Sequence, residues 1–312
     1  MSVLITGANG FIGGALCQYL LNQGVEVIPV VRRRCDIPNA KILSEDDEAG
    51  WRQTLLTCDT MVHLAGQSQV DLAHPDPFSS LHHSNVALTV SLFRRAAAAD
   101  VRRFIYVSSA KVNGERTETK QFVSADDPVA PEDHYALSKW KAEQSLRSEA
   151  LGSRTELVVI RPPLVYGPAV KGNFNALIRL LKRQLPLPMA CINNQRSLLA
   201  LENLCSFIAL CADRDRSPLA ADQTFLVADG PPVSTPELFR QIATAYELKV
   251  RLFCVPPKLM RWLLLLVGKS SISNRLFDSF VVDDKKCNEL LGWVPPVTMA
   301  QQLKRMHIAE VS

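Results

Sequence analysis

The chain has 312 residues, 47% hydrophobic and 21% charged, an ordinary globular composition with apolar material for a large core and two lobes, which excludes disordered and fibrous classes. Its 35 basic and 31 acidic residues are interspersed, so the formal net charge of +4 points neither to nucleic acid nor to a membrane surface. The eight cysteines form no CxxC pair and no Cys/His spacing and lie mostly in apolar runs, so free thiols are expected, with no metal site and no disulfide frame.

In chain order, the first strand, VLIT, follows the N-terminus with no basic leader or cleavage site, as expected of a protein kept in a reducing cytoplasm. It ends in TGANGFIGGAL and a helix over 11–22. Glycines 7, 10 and 13 let the backbone turn and approach a pyrophosphate, whose charge would meet the open N–H groups at the helix start. Strand, glycine turn and helix in that order are the context a dinucleotide site demands. Gly7, Asn9, Gly10, Phe11, Ile12 and Gly13 are therefore the expected cofactor contacts. The second strand, VEVIPVV, ends at Val31, where an NAD site would carry a ribose-holding carboxylate, and Arg32, Arg33 and Arg34 follow. An arginine fork suits a 2′-phosphate, which favours NADP(H) held by Arg32 and Arg33; Asp36 stands near enough to leave NAD(H) open.

The strand DTMVHLAG brings Leu64, Ala65 and Gly66 to the same expected cleft, followed by a helix near 85–99 and the strand RRFIYVSS. Strands that are apolar throughout, separated by helical patterns, predict an α/β fold: a Rossmann-type doubly wound parallel sheet with helices on both faces. Ser108 and Ser109 end their strand at the edge where ligands bind in such folds, and a hydroxyl there can donate to a substrate oxygen as charge develops on it.

HYALSKWKAE then places Tyr135 and Lys139 one helical turn apart, on a stripe shared with Ala142 and Leu146. A lysine on a core-facing stripe is costly, which points to a function rather than to packing. A fixed lysine cation alongside, together with an oxidised nicotinamide ring, favours the phenolate, lowers its pKa from about 10 and makes Tyr135 a proton donor and acceptor.

After Arg161 prolines accumulate and elements shorten, as in a smaller lobe covering a ligand cleft. Residues 1–166 are expected to form the dinucleotide-binding domain and 167–312 mostly a substrate-binding lobe, with RSLLALENL and QTFLVADG returning to the first domain around 191–230. The apolar run Leu259 to Gly268 is far short of the ~20 residues of a membrane span, leaving a buried helix or, second, a shallow membrane contact.

TGxxGxxG at the start, the strand-end serine and YxxxK starting 26 residues after Ser109 resemble, in order and spacing, the extended short-chain dehydrogenase/reductase family over essentially the whole chain. The resemblance implies that Ser109, Tyr135 and Lys139 are catalytic, that Tyr135 and Lys139 also touch the cofactor, and that the protein is a homodimer through the helices near 85–99 and from 135. RPPLVYGPAVKGNF and NNQRSLLALENL are similar to segments of the nucleotide-sugar branch, which implies a UDP-sugar substrate bound by Asn173 and Arg196. SSAKVNGE departs from the common epimerase pattern by carrying Lys111-Val112-Asn113 in place of Thr-Val-Tyr, which puts Lys111 among the expected substrate contacts.

That variant resembles a surface-polysaccharide subgroup that includes reductases of UDP-4-keto-6-deoxy-N-acetylhexosamines, and others labelled 4-epimerases. Ala110 after Ser109 leaves no adjacent acid, which argues against dehydration. A reductase must exchange its cofactor every turnover and an epimerase need not. With arginines in place of the ribose carboxylate, the sequence favours the 4-reductase, with a UDP-hexose 4-epimerase as the alternative and a non-catalytic cofactor sensor or scaffold as the third reading.

Overall fold

The computed structural model describes residues 1–67, 76–118, 121–266 and 276–311. Its centre is a sheet of seven parallel strands, β1 (Ser2–Thr6), β2 (Glu26–Val31), β3 (Lys41–Ile42), β4 (Thr60–His63), β5 (Arg103–Val107), β6 (Glu156–Arg161) and β9 (Thr224–Leu226), in the order β3-β2-β1-β4-β5-β6-β9. The doubly wound α/β fold expected from the strand and helix rhythm is thus present.

Alternate residues of each strand serve opposite faces. Val3, Ile5, Val62, Ile105, Val158 and Ile160 pack with α1 (Phe11–Asn22) and α7 (Leu201–Ala212) through Leu16, Leu20, Leu204, Phe207 and Ile208. Leu4, Met61, Phe104, Leu157 and Val159 pack on the other face against α2 (Glu48–Leu55), α4 (Leu88–Ala98) and α5 (His134–Ala150) through Trp51, Leu55, Leu92, Phe93, Ala142 and Leu146. Burial on both faces is why the strands read as unbroken apolar runs.

A second core lies beyond the sheet. Here β7 (Leu164–Tyr166) pairs with β8 (Leu198–Ala200), and α6 (Asn173–Lys182), α8 (Thr235–Ala245) and the helix Met299–Val311 contribute Phe174, Ile178, Phe239, Ile242, Leu303 and Met306. Between the two, α7 and β9 belong to the large sheet layer: α7 packs on α1 and β9 pairs with β6.

The expectation of free cysteines fails at one pair. Cys191 and Cys254 form a disulfide with Cα atoms 5.0 Å apart, although 63 residues separate them in sequence. The reason is a backbone ladder, in which Leu187 N donates to Arg251 O, Phe253 N to Leu187 O and Ala190 N to Phe253 O, carrying the two cysteines side by side. No short-range spacing announces such a contact. Cys17, Cys35, Cys58, Cys205, Cys211 and Cys287 are free, all but Cys35 buried.

The apolar run beginning at Leu259 falls in a helix, Pro257–Leu266, while Val267 and Gly268 lie outside the described residues. Among the described residues no helix is long and apolar enough to cross a membrane, and no cluster of His, Cys, Asp and Glu is placed to hold a metal ion.

Candidate active site

Parallel strands all deliver their C-terminal ends to one edge, and the strand order reverses between β1 and β4, where open α/β sheets leave a crevice. A cleft of about 170 Å³ opens there, lined by Gly7, Asn9 and Gly10 after β1, by Arg32 after β2 and by Leu64, Ala65 and Gly66 after β4. Of the remaining residues expected to hold a cofactor, Phe11, Ile12 and Gly13 form the first turn of α1, while Arg33 and Arg34 are exposed beyond β2.

The cradle fits a dinucleotide on its own geometry. Gly7 has φ +70°, and a Cβ there would lie 2.8 Å from Ala65 N, so only glycine lets the β1 and β4 loops close on each other. Gly10 begins α1 with no capping side chain, which leaves first-turn N–H groups open to an anion. Glu45, which sequence reasoning did not single out, also lines the cleft. It brings a carboxylate that the end of β2 lacks, while its Oε2 meets His83 Nε2 at 2.9 Å.

Beside this cradle stands the Ser-Tyr-Lys group. Ser109 follows β5 in extended conformation and opens a single 3-10 turn, Ala110–Asn113; its Oγ accepts from Lys111 N at 3.3 Å, and its side chain favours the Tyr135 phenolate. Asp133 caps α5 by accepting from Ala136 N at 2.7 Å, which fixes the turn that carries Tyr135. Lys139, Ala142 and Leu146 are buried on the stripe expected of them. The ammonium of Lys139 donates to Val107 O at 3.0 Å and lies 4.7 Å from the centroid of the Tyr106 ring.

The chain's own charges do not suffice to ionise the tyrosine. Tyr135 is not lowered in the chain by itself: burial, with the Asp133 charge second, pushes its phenol up to about 12, against the opposing hydrogen bond from Ser109. Burial likewise brings Lys139 down to about 8, with the Glu143 carboxylate opposing. In the chain alone Tyr135 is therefore a proton donor, and its ionisation needs additional positive charge nearby.

Two supporting groups went unseen in the sequence. A π-helical turn, His83–Ala87, joins α3 (Pro77–His82) to α4 and carries the buried Asn85. Asn85 Nδ2 donates to Gln67 O at 2.9 Å and to Ser138 Oγ at 2.9 Å, while its Oδ1 accepts from Gln67 N at 2.8 Å. It therefore clamps the loop after β4 to the face of α5 beside Lys139. The fit is tight: a Cβ on Gly66 would lie 2.7 Å from Asn85 Oδ1 and 3.8 Å from Lys139 Nζ. Thr89 donates its one hydroxyl proton to Asn85 O at 2.8 Å, so at 2.9 Å it accepts from His63 Nε2, and His63 Nδ1 must accept from Thr6 Oγ1 at 2.7 Å. Burial holds this imidazole neutral, at about 3.

The second group is Glu143, one turn beyond Lys139. Ser108 Oγ donates to its Oε1 at 2.5 Å, and Arg161, at the end of β6, meets it through Nε at 3.0 Å and Nη2 at 2.5 Å. Arg161 also donates from Nη1 to Asn113 Oδ1 at 2.9 Å, joining β5, β6 and α5 in one buried network.

The sequence model described as the NAD dependent epimerase/dehydratase family matches residues 3–224. The chain belongs to that family. It is 38% identical over 310 residues to a UDP-glucose 4-epimerase of Vibrio cholerae, covering 97% of this chain and 94% of the relative. Its fold superposes on that of MoeE5 in complex with UDP-glucose and NAD with a TM-score of 0.76, at 23% identity over 100% of this chain and 99% of the other. With the UDP-N-acetylglucosamine 4-epimerase of Bacillus cereus the TM-score is 0.78, at 18% identity over 99% and 98%. The family's nucleotide-sugar branch, expected from the motifs, is thereby shown.

The remaining residues expected at the substrate stand farther along the family fold. Asn173 is exposed at the start of α6, after Gly172 at φ +70°. Arg196 pairs its backbone with Val233 and sends Nη1 to Asp278 O at 3.1 Å. Arg261 reaches the same residue, 2.7 Å from Asp278 Oδ1, so two guanidinium groups converge there; the second was not anticipated. Lys111 donates to Asp133 Oδ2 at 2.7 Å and to Glu115 Oε1 at 2.5 Å.

Proposed function

We propose that the protein is a UDP-hexose 4-epimerase that keeps NAD bound through the catalytic cycle. The observation that carries this reading is the end-to-end likeness to the Vibrio cholerae enzyme in a chain that has Ser109, Tyr135 and Lys139 beside a dinucleotide cradle. When bound, NAD would take the hydride from sugar carbon 4, return it to the opposite face of the ring, and supply in its oxidised form the positive charge that favours the Tyr135 phenolate.

The chain's own residues do the rest. Gly7, Asn9 and Gly10 receive the pyrophosphate, Glu45 stands for the missing ribose carboxylate, and Lys139 holds the nicotinamide ribose in this reading. Ser109 donates to the sugar oxygen, and Tyr135 takes the hydroxyl proton as carbon 4 becomes a carbonyl. After the 4-keto sugar turns over, Tyr135 gives the proton back to the same oxygen. Asn173 and Arg196 hold the diphosphate during that rotation, with Arg196 supplying the cation a diphosphate needs. A cytoplasmic homodimer through α4 and α5 belongs to the same reading.

One observation favours a second reading, the UDP-4-keto-6-deoxy-N-acetylhexosamine 4-reductase using NADPH: Arg32 lines the cleft where a 2′-phosphate would lie. The two readings differ in what the purified protein carries. Heat-released nucleotide is expected to be NAD(H), at close to one per chain without any being added. Protein that arrives empty, or that retains NADP(H), and that consumes NADPH with a 4-keto sugar would replace the epimerase by the reductase.

A further inference from the structure

Between the strand end that carries Ser109 and the helix that carries Tyr135 lies a cluster of three charges. Lys111 belongs to the 3-10 turn opened by Ser109, and its backbone N–H donates back to Ser109 Oγ. Its ammonium lies between Asp133 Oδ2, at 2.7 Å, and Glu115 Oε1, at 2.5 Å. The other oxygen of Asp133 accepts from Ala136 N and caps α5. A single side chain therefore joins the turn of the serine to the helix start of the tyrosine.

Two physical roles can be separated by magnitude. The side chains of Lys111, Asp133 and Glu115 are 39%, 41% and 33% exposed, and ion pairs this open to water contribute only about 0–1 kcal/mol to stability. The Tyr135 phenol, which the Asp133 charge reaches, is more buried than these side chains, so that charge acts on it with less screening. Asp133 stands two residues before Tyr135, and its charge is the second cause, after burial, of the raised phenol. With Lys111 present the cluster carries one net negative charge, and without it two.

We propose that Lys111 is a positioning residue for Tyr135: it holds the capping carboxylate of α5 in place and offsets the negative charge that would keep the phenol protonated. The inference rests on Tyr135 being the acid/base group, as in the epimerase reading. Asp133 acts on Tyr135 from the start of its own helix, Ser109 from the strand end and Tyr106 from β5, while Lys111 and Glu115 act through Asp133. Glu143 and His63 act at one remove, through Lys139. The His134 ring instead meets Phe78, with centroids 4.1 Å apart. Among these, Lys111 is the cation whose removal leaves the core packing around the phenol untouched.

The test uses the NAD-bound protein with difluorotyrosine, a more acidic phenol, in place of tyrosine, followed by fluorine NMR, with Y135F assigning the signal. In K111M the Tyr135 titration is expected about one pH unit higher, the rising limb of the turnover profile moves with it, and K111R restores both. The thermal midpoint should change by no more than about 3 °C. A Tyr135 titration unmoved in K111M overturns the proposal. So does a raised KM for the UDP-sugar with an unmoved pH profile, which would make Lys111 a substrate contact. If the wild-type protein turns over no UDP-sugar, the functional reading fails, while the NMR titration still decides the role of Lys111.

Discussion

Tyr135→Phe is expected to lower nucleotide-sugar turnover by about three orders of magnitude, within the range for loss of a general acid/base group, and to leave the bound NAD content unchanged. The phenyl ring keeps the packing at the start of α5, and Asp133 still caps the helix, so the fold has no reason to change. What disappears is the hydroxyl on which Ser109 acts, the group that in this reading exchanges a proton with the sugar oxygen. Single-turnover absorbance of the bound nicotinamide after adding UDP-sugar reads the chemical step directly. A variant within tenfold of wild type would remove Tyr135 from the mechanism.

Glu143→Gln carries the second large effect, and it acts on stability first. The Glu143 and Arg161 side chains are 0% and 2% exposed, so the amide leaves a guanidinium in the core without its counter-charge. Losing one partner of a buried pair costs about 3–5 kcal/mol, which lowers the melting temperature by roughly 10 °C in a chain of this size. The same change strips Lys139 of the carboxylate that raises its pKa, so less of it is protonated near neutrality and turnover falls in the protein that remains folded. Calorimetry, with the double variant E143L/R161M as a control, separates the two effects. The double variant should recover much of the stability, because the buried guanidinium goes together with its counter-charge, and none of the support for Lys139. A Glu143→Gln protein melting within 2–3 °C of wild type, a change of about 1 kcal/mol, would contradict this account of the network.

Residues whose job depends on local spacing are legible in the amino-acid sequence alone. The glycine turn, the strand-end serine and the Tyr135/Lys139 pair follow from periods of two and 3.6 and from the cost of placing a cation on an apolar stripe. Glu143 lies within reach of the same reasoning, because it continues the stripe of Tyr135 and Lys139, and Arg161 closes an apolar strand just as conspicuously. Asn85 gives less warning. A π-helical turn shifts the residues after it by one position, and no propensity marks where a helix will take that extra residue. The disulfide and the convergence of Arg196 and Arg261 on Asp278 come from contacts between segments far apart in sequence, which no window of the chain contains. The short strands β3, β7 and β8, of two or three residues each, are too brief for periodicity to show. The raised phenol of Tyr135 in the chain alone could not be read from the sequence, because spacing reports which groups are neighbours, whereas desolvation depends on everything packed around them.

The measurement that tests the central claim most directly is proton NMR of UDP-glucose incubated with the purified protein and no added cofactor. The account predicts that UDP-galactose accumulates to equilibrium, that the reverse incubation reaches the same mixture, and that the nicotinamide absorbance shows no net change. UDP-glucose and the other UDP-hexoses left unchanged, with NADPH consumed one for one only when a 4-keto sugar is supplied, would contradict it.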